Sequence, residues 1–235
     1  MHMQCTLRTV LAGAALAALV TGCSPFDADP AHPAAAKPAA PTATAQRPAS
    51  STPAPVTGPA ATAAQVADAF AEPVPGIAVR PVTGTTVHRD FKRSYLAMDA
   101  WTLYPAAGSA GRPLVALVLD GSNDVTSAEM RIGRSDTASD VQACTTPPAE
   151  ATGTAGTADV GGVRAAHFNS SDAAMSHYLS ADSYRVVHGG ACYAIDLIIA
   201  GTRPEVYDPP RTPPFTQDQA KAALASMLAA VHWTH

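Results

Sequence analysis

The stretch "HGGACYAIDLIIAG", His188 to Gly201, decides how this chain folds. Gly189 and Gly190 accept the positive φ of a tight hairpin turn, so "SYRVV" before them and "ACYAIDLIIAG" after them read as paired antiparallel strands. Alternation in the second strand puts Tyr193, Ile195, Leu197 and Ile199 on one face and Cys192, Ala194, Asp196 and Ile198 on the other. Asp196 interrupts this run, and a carboxylate there must be paired or reach water. It either sits on an open face or pairs with an arginine such as Arg185, which the desolvation cost favours, or it contacts a ligand in a cleft.

Toward the C-terminus, "RPEVYDPPRTPPF" carries Glu205, Tyr207, Asp208, Arg211 and Phe215 on a proline-stiffened link. Such a link is either a rigid connection or a partner-binding loop, since Tyr and Arg are common interface anchors and proline reduces the entropy lost on docking. Tyr207, Asp208, Arg211 and Asp196 are therefore the candidate binding residues. Thr216 and Gln219 then stand at capping-box spacing, and Leu224, Met227, Leu228 and Val231 form one stripe of a terminal helix expected to pack on the sheet, with Trp233 closing its edge.

Toward the N-terminus, "PLVALVLDG" (113–121) reads as a central strand covered on both sides. "AEMRIGRS" (128–135) alternates Met130 and Ile132 with Glu129, Arg131 and Gly133, as a strand with one wet face would. Between Thr85 and Pro105 the β-prone composition predicts further strands, and "AAQVADAFAE" (63–72) predicts a short helix ended by Pro73 and Pro75. "PPAEATGTAGTADVGG" (147–162) reads as a surface loop. "VRAAHF" (163–168) reads as a strand, and "NSSDAAMSHYLS" (169–180) as a short helix or an irregular excursion. The order of elements specifies an α+β fold: a mostly antiparallel sheet with a C-terminal helix packed on one face. The hairpin, proline-rich link and terminal helix, from Thr85 onward, resemble the small PsbP/Mog1-like modules in arrangement. That likeness implies binding or assembly more often than catalysis.

The start of the chain has a different character. "TVLAGAALAALVTGC", Thr9 to Cys23, holds an apolar run too short to span a bilayer, which takes about 20 residues. It follows a polar start with Arg8 and closes on small residues, the order of a cleavable secretory signal. Val20-Thr21-Gly22-Cys23 resembles the lipobox of bacterial lipoproteins. The family usually has Leu where Val20 stands. The resemblance implies a signal peptide over 1–22, diacylglycerol on the Cys23 thiol, and, from Ser24, sorting to the periplasmic face of the outer membrane. Acyl chains hold a protein at the bilayer through burial worth about 0.8 kcal/mol per CH₂, and stable anchoring takes more than one chain.

Residues 23–63 then carry the lipidation site and a Pro/Ala-rich stretch with almost no large apolar side chain, which predicts a disordered tether reaching on the order of 100 Å when extended. Residues 64–235 remain as a single globular domain.

The chain has 235 residues and a net charge of −4 at pH 7. That balance specifies no nucleic-acid partner. Of the four cysteines, Cys5 falls in the signal and Cys23 is the lipidation site. Cys144 and Cys192 remain in an exported domain, where two such residues usually form a disulfide.

His88, His167, His177 and His188 show no i,i+4 pair and no HExxH, so no metal site is specified. His88 with Asp90, or His167 with His177, would have to converge in space to hold zinc. Ser170, Ser171, Asp172 and His177 invite a hydrolase reading, but the G-x-S-x-G elbow is missing. The expectation is a lipid-anchored envelope protein with a non-catalytic binding or assembly domain, held at the membrane by its lipid, with an envelope protein as partner and without cofactor. The rival expectations are an envelope hydrolase, or an inhibitor or immunity protein against an envelope-targeted toxin.

Overall fold

The computed structural model describes residues 67–73 and 75–235. Cys23, the expected signal and the expected tether lie outside them, as does the start, 63–66, of the helix expected over 63–72. The strands are β1 (Phe70–Ala71), β2 (Gly76–Val79), β3 (Thr85–His88), β4 (Arg112–Leu119), β5 (Thr126–Ser135), β6 (Ala151–Val160), β7 (Val163–Ala174), β8 (His177–His188), β9 (Ala191–Thr202) and β10 (Val231–Thr234). Helix α1 (Ala138–Ala143) follows β5, and α2 (Gln217–Ala229) precedes β10. Every strand pair is antiparallel, so the fold is a mostly antiparallel sheet structure with few helices.

The larger sheet runs β3-β4-β5-β9-β8-β7-β6. It is two consecutive meanders, β3 to β5 and β6 to β9, joined along β5 and β9, whose ladder extends from Thr126↔Gly201 to Ser135↔Cys192. A smaller sheet, β1-β2-β10, brings the two ends of the described chain together. Turn geometry fixes the β8–β9 register: Gly189 and Gly190 both have positive φ, at 57° and 78°, and His188 pairs with Ala191.

On one face of the large sheet, Met130, Ile132, Tyr193, Ile195, Leu197 and Ile199 are buried, and they share an apolar cluster with Ala220, Leu224 and Met227 of α2 and with Ile77, Val79, Val231 and Trp233 of the small sheet. The α2 capping box is formed: Thr216 Oγ1 accepts from Gln219 N–H at 3.2 Å, and Gln219 Oε1 accepts from Thr216 N–H at 2.7 Å.

The opposite face is covered by the stretch 89–111, which is not the run of strands its composition predicts beyond His88. It is an irregular strap. Phe91 packs on Ala116 and Val118, Leu96 and Leu103 pack on Leu179, Ala181 and Ile198, and Trp101 packs on Cys144, Cys192 and Ala194. Burying each of these large side chains contributes about 1.5–3 kcal/mol. Gly133 permits the approach, because a Cβ there would run into the main-chain carbonyl of Trp101.

Four further expectations are corrected. Phe70 and Ala71 are strand, paired with Val79 and Ala78, because the small sheet captures them. β5 has no wet face: Glu129 and Arg131 are buried under the strap. The Gly/Thr/Ala stretch from Ala151 to Val160 is the edge strand β6, held by its ladder to β7. Asn169 to Ser180 is neither a helix nor an irregular excursion; it is the end of β7, a two-residue turn at Met175 and Ser176, and the start of β8.

Candidate functional site

The strap-covered face carries a line of buried charge across β5, β9 and β8. Asp196 is 2% exposed and Arg185 5%. Arg185 Nη1 donates to Asp196 Oδ1 at 2.7 Å, Ser183 Oγ donates to the same oxygen at 2.7 Å, and Leu103 N–H donates to Oδ2 at 2.9 Å. Arg185 also donates through Nη2 to Thr102 Oγ1 at 2.6 Å, and its guanidinium lies over the Phe168 ring. The neighbouring group is Glu129, engaged by Arg131 and, at 3.2 Å, by Arg93 Nε. Arg131 donates in addition to the Met98 carbonyl of the strap. These charges bind strap to sheet. Asp196 has an arginine partner and two further donors, and its oxygens are committed to them.

Beside this line, a cavity of about 170 Å³ is lined by Trp101, Thr102, Arg185 and the Cys144–Cys192 disulfide. That disulfide is formed, with Cα atoms 5.6 Å apart, and ties the residue after α1 to the start of β9. Asp140 borders the same cavity. Burial raises its pKa, but hydrogen bonds from Ser135, Thr137 and the Ala110 N–H outweigh this and hold the carboxyl below the usual carboxylate range.

The proline-rich link is pinned to the β4–β5 turn. Tyr207 Oη donates to Asp124 Oδ2 at 2.9 Å, Arg211 Nη1 donates to the same oxygen at 2.9 Å, and the Arg211 guanidinium lies 4.4 Å from the Tyr207 ring centroid. The Tyr207 hydroxyl, with Arg211, holds the Asp124 carboxyl below its ordinary pKa. Asp208 is exposed beside them, ahead of a cis bond to Pro209. Tyr207 and Arg211 thus converge on Asp124, whereas Asp196 lies within the strap-covered face with other partners.

The histidines are separated by their contacts. His167 stacks on Tyr184 and lies 3.6 Å from Asp182, His177 Nδ1 is 3.0 Å from Thr202 Oγ1, and His188 packs on Trp233. Among the described residues, no three His, Cys, Asp or Glu side chains come together as metal ligands.

A wide open concavity forms a trough on the α2 side of β7 and β8. It consists of two adjoining depressions of about 560 and 670 Å³ that share Ser171, Ser180 and Gln217. One runs between the strands and α2, and the other continues beneath Arg203, Pro204 and Phe215 of the proline-rich link. Register places Ser171 opposite Ser180 and Asn169 opposite Asp182. The floor is Leu197 and Ile199, and Lys221 stands at the helix wall. Each depression has the size of an ordinary small-molecule site, about 300–1,000 Å³.

Sequence reasoning missed this trough, having read 169–180 as a helix or an irregular excursion. The signal was present in "YLSADSY" (178–184), where Tyr178, Ser180, Asp182 and Tyr184 alternate with Leu179, Ala181 and Ser183. No protein-family model and no curated protein matches the chain.

Proposed function

We propose that this chain is a lipid-anchored protein of the cell envelope whose globular domain, with α2 laid across one face of the large sheet in the manner of PsbP/Mog1-like modules, binds a ligand without transforming it. The trough carries this reading. It is a concavity of ligand size lined by the exposed polar side chains of Ser171, Ser180, Gln217 and Lys221. The buried carboxylates Asp196 and Glu129, by contrast, are spent on arginines that hold the strap.

Anchoring rests on the lipobox-like Val20-Thr21-Gly22-Cys23 and the Pro/Ala-rich tether after it. The Cys144–Cys192 disulfide supports an oxidising compartment. Ser24 favours the periplasmic face of the outer membrane, where the pinned Tyr207, Asp208 and Arg211 loop offers a preorganised surface to an envelope protein partner.

Radiolabelled palmitate is expected to enter the wild-type protein and not Cys23→Ala, and the variant is expected to leave the membrane fraction. Equal membrane retention of both would overturn the anchoring.

A further inference from the structure

The groups lining the trough narrow the chemistry of what it holds, an inference that rests on reading the trough as the binding site. Charge is mixed along its length: Asp182 and Glu205 stand against Lys221 and Arg203. No cationic cluster collects a phosphate or carboxylate polymer, and the carboxylates are too dispersed to clamp a polycation. Apolar surface is present in small separate faces. Leu197 and Ile199 are almost wholly covered, at 6% and 4% exposed, while Phe215 and Leu228 are partly exposed. An acyl chain needs a continuous apolar slot, because its affinity accrues per buried CH₂.

An extended peptide would find little of its main means of recognition. β8 lies between β9 and β7, and β7 is paired to β6 from Val163 to Ser170, so only the short end Ser171–Ala174 leaves an edge open to strand addition. What the trough does offer are hydroxyls and an amide that both donate and accept, from Ser171, Ser180 and Gln217, beside the flat ring of Phe215. Sugars present the matching combination, hydroxyls that donate and accept around a ring whose C–H faces lie on aromatic surfaces. The two adjoining depressions extend this lining along a line, as a chain of rings requires.

We propose that the trough binds a short, uncharged oligosaccharide, with Ser171, Ser180 and Gln217 meeting its hydroxyls and Phe215 meeting a ring face.

The test uses the whole mature chain with Cys23→Ser, isotope-labelled for amide NMR. It is titrated separately with uncharged tetrasaccharides of glucose, mannose and N-acetylglucosamine, with an uncharged tetrapeptide, and with a short-chain fatty acid. At least one tetrasaccharide is expected to shift the amides of Asn169–Ala173, Leu179–Tyr184 and Gln217–Lys221. Ser180→Ala and Gln217→Ala are each expected to weaken that binding by about twofold to tenfold, the range for loss of one hydrogen bond. Ser171→Trp fills the trough and is expected to abolish binding while the amide spectrum stays folded.

Shifts in these segments caused by the peptide or fatty acid but by no tetrasaccharide would overturn the saccharide assignment and leave the trough as the binding site. No shift there from any probe would overturn both.

Discussion

Asp196→Asn removes one charge from the strap-covered face and leaves the side chain's shape intact. The wild-type carboxylate accepts from Arg185 and Ser183, both at 2.7 Å, and from Leu103 N–H at 2.9 Å. An amide has one acceptor oxygen for these three donors, and its NH₂ must face either the guanidinium or the Leu103 N–H. Arg185 is then left buried without its counter-ion. Breaking a buried pair in this way costs about 3–5 kcal/mol, whereas Ser183→Ala, which removes one hydrogen bond to the carboxylate, is expected to cost about 1 kcal/mol.

The double variant Arg185→Met/Asp196→Leu separates burial of charge from packing. Replacing both members by apolar groups is often neutral or stabilising, so it should recover most of the loss in Asp196→Asn. Urea unfolding followed by Trp101 and Trp233 fluorescence measures all four proteins, with unchanged m-values as the check on two-state comparison. A cost below about 1 kcal/mol for Asp196→Asn would refute the assignment of Asp196 as the strap's anchor. Altered ligand binding in the trough by the folded variant would refute it as well, because the trough lies on the other face.

Three further outcomes follow from the same geometry. Removing the disulfide with Cys144→Ala/Cys192→Ala should cost about 4 kcal/mol on the loop-entropy estimate for its separation of 48 residues; a loss under about 1 kcal/mol in urea unfolding would contradict that constraint. Gly133→Ala should displace the strap at Trp101, seen as a red-shifted tryptophan spectrum and weakened near-UV circular dichroism. Unchanged spectra would mean that the close approach is not required. Because the folded pKa of Asp140 lies below its unfolded value near 3.9, its hydrogen bonds contribute stability above that pH and lose it as pH falls through the folded pKa. Asp140→Asn should therefore flatten the acid limb of the stability curve below about pH 4; parallel curves for the two proteins would exclude this.

What was legible in the sequence was local. The Gly189–Gly190 turn, the apolar runs of β4 and β9, the Thr216/Gln219 capping box and the Cys144–Cys192 pair each carry their signal within a few residues or in a simple count. The strap carried none, because Phe91, Leu96, Trp101 and Leu103 are buried by covering a sheet and show no period of their own. β6 escaped notice for the opposite reason. It is an edge strand exposed for most of its length on both faces, so nothing forces its residues to alternate. The turn at Met175 reaches φ 56° without glycine or asparagine, and its absence of turn residues hid the β7–β8 hairpin and the trough with it.

Glu129 and Arg131 looked like a solvated face because alternation reports polarity, and here polarity is satisfied internally. Arg185 as partner of Asp196 was among the stated options, but the convergence of Tyr207 and Arg211 on Asp124 joins parts of the chain that only the folded topology brings together.

The seam between β5 and β9 bears on how the chain assembles. Apart from the strap between β3 and β4, the meanders close through short connections, whereas the seam joins residues 126–135 to 192–201, far apart in the chain, and adds a large entropic cost of long-range closure. Cys192 is the partner of Ser135 at one end of that ladder, and Cys144 follows Ser135 by only the length of α1 and its flanks. Once the two sulfurs are joined, the first rung of the seam is held close, and the remaining rungs can form in sequence from it. A slip of one residue would send Asp196 to the apolar side and Ile195 to the charged one. Oxidation before the meanders dock would thus act as a choice of register, made at one end and read along the whole ladder.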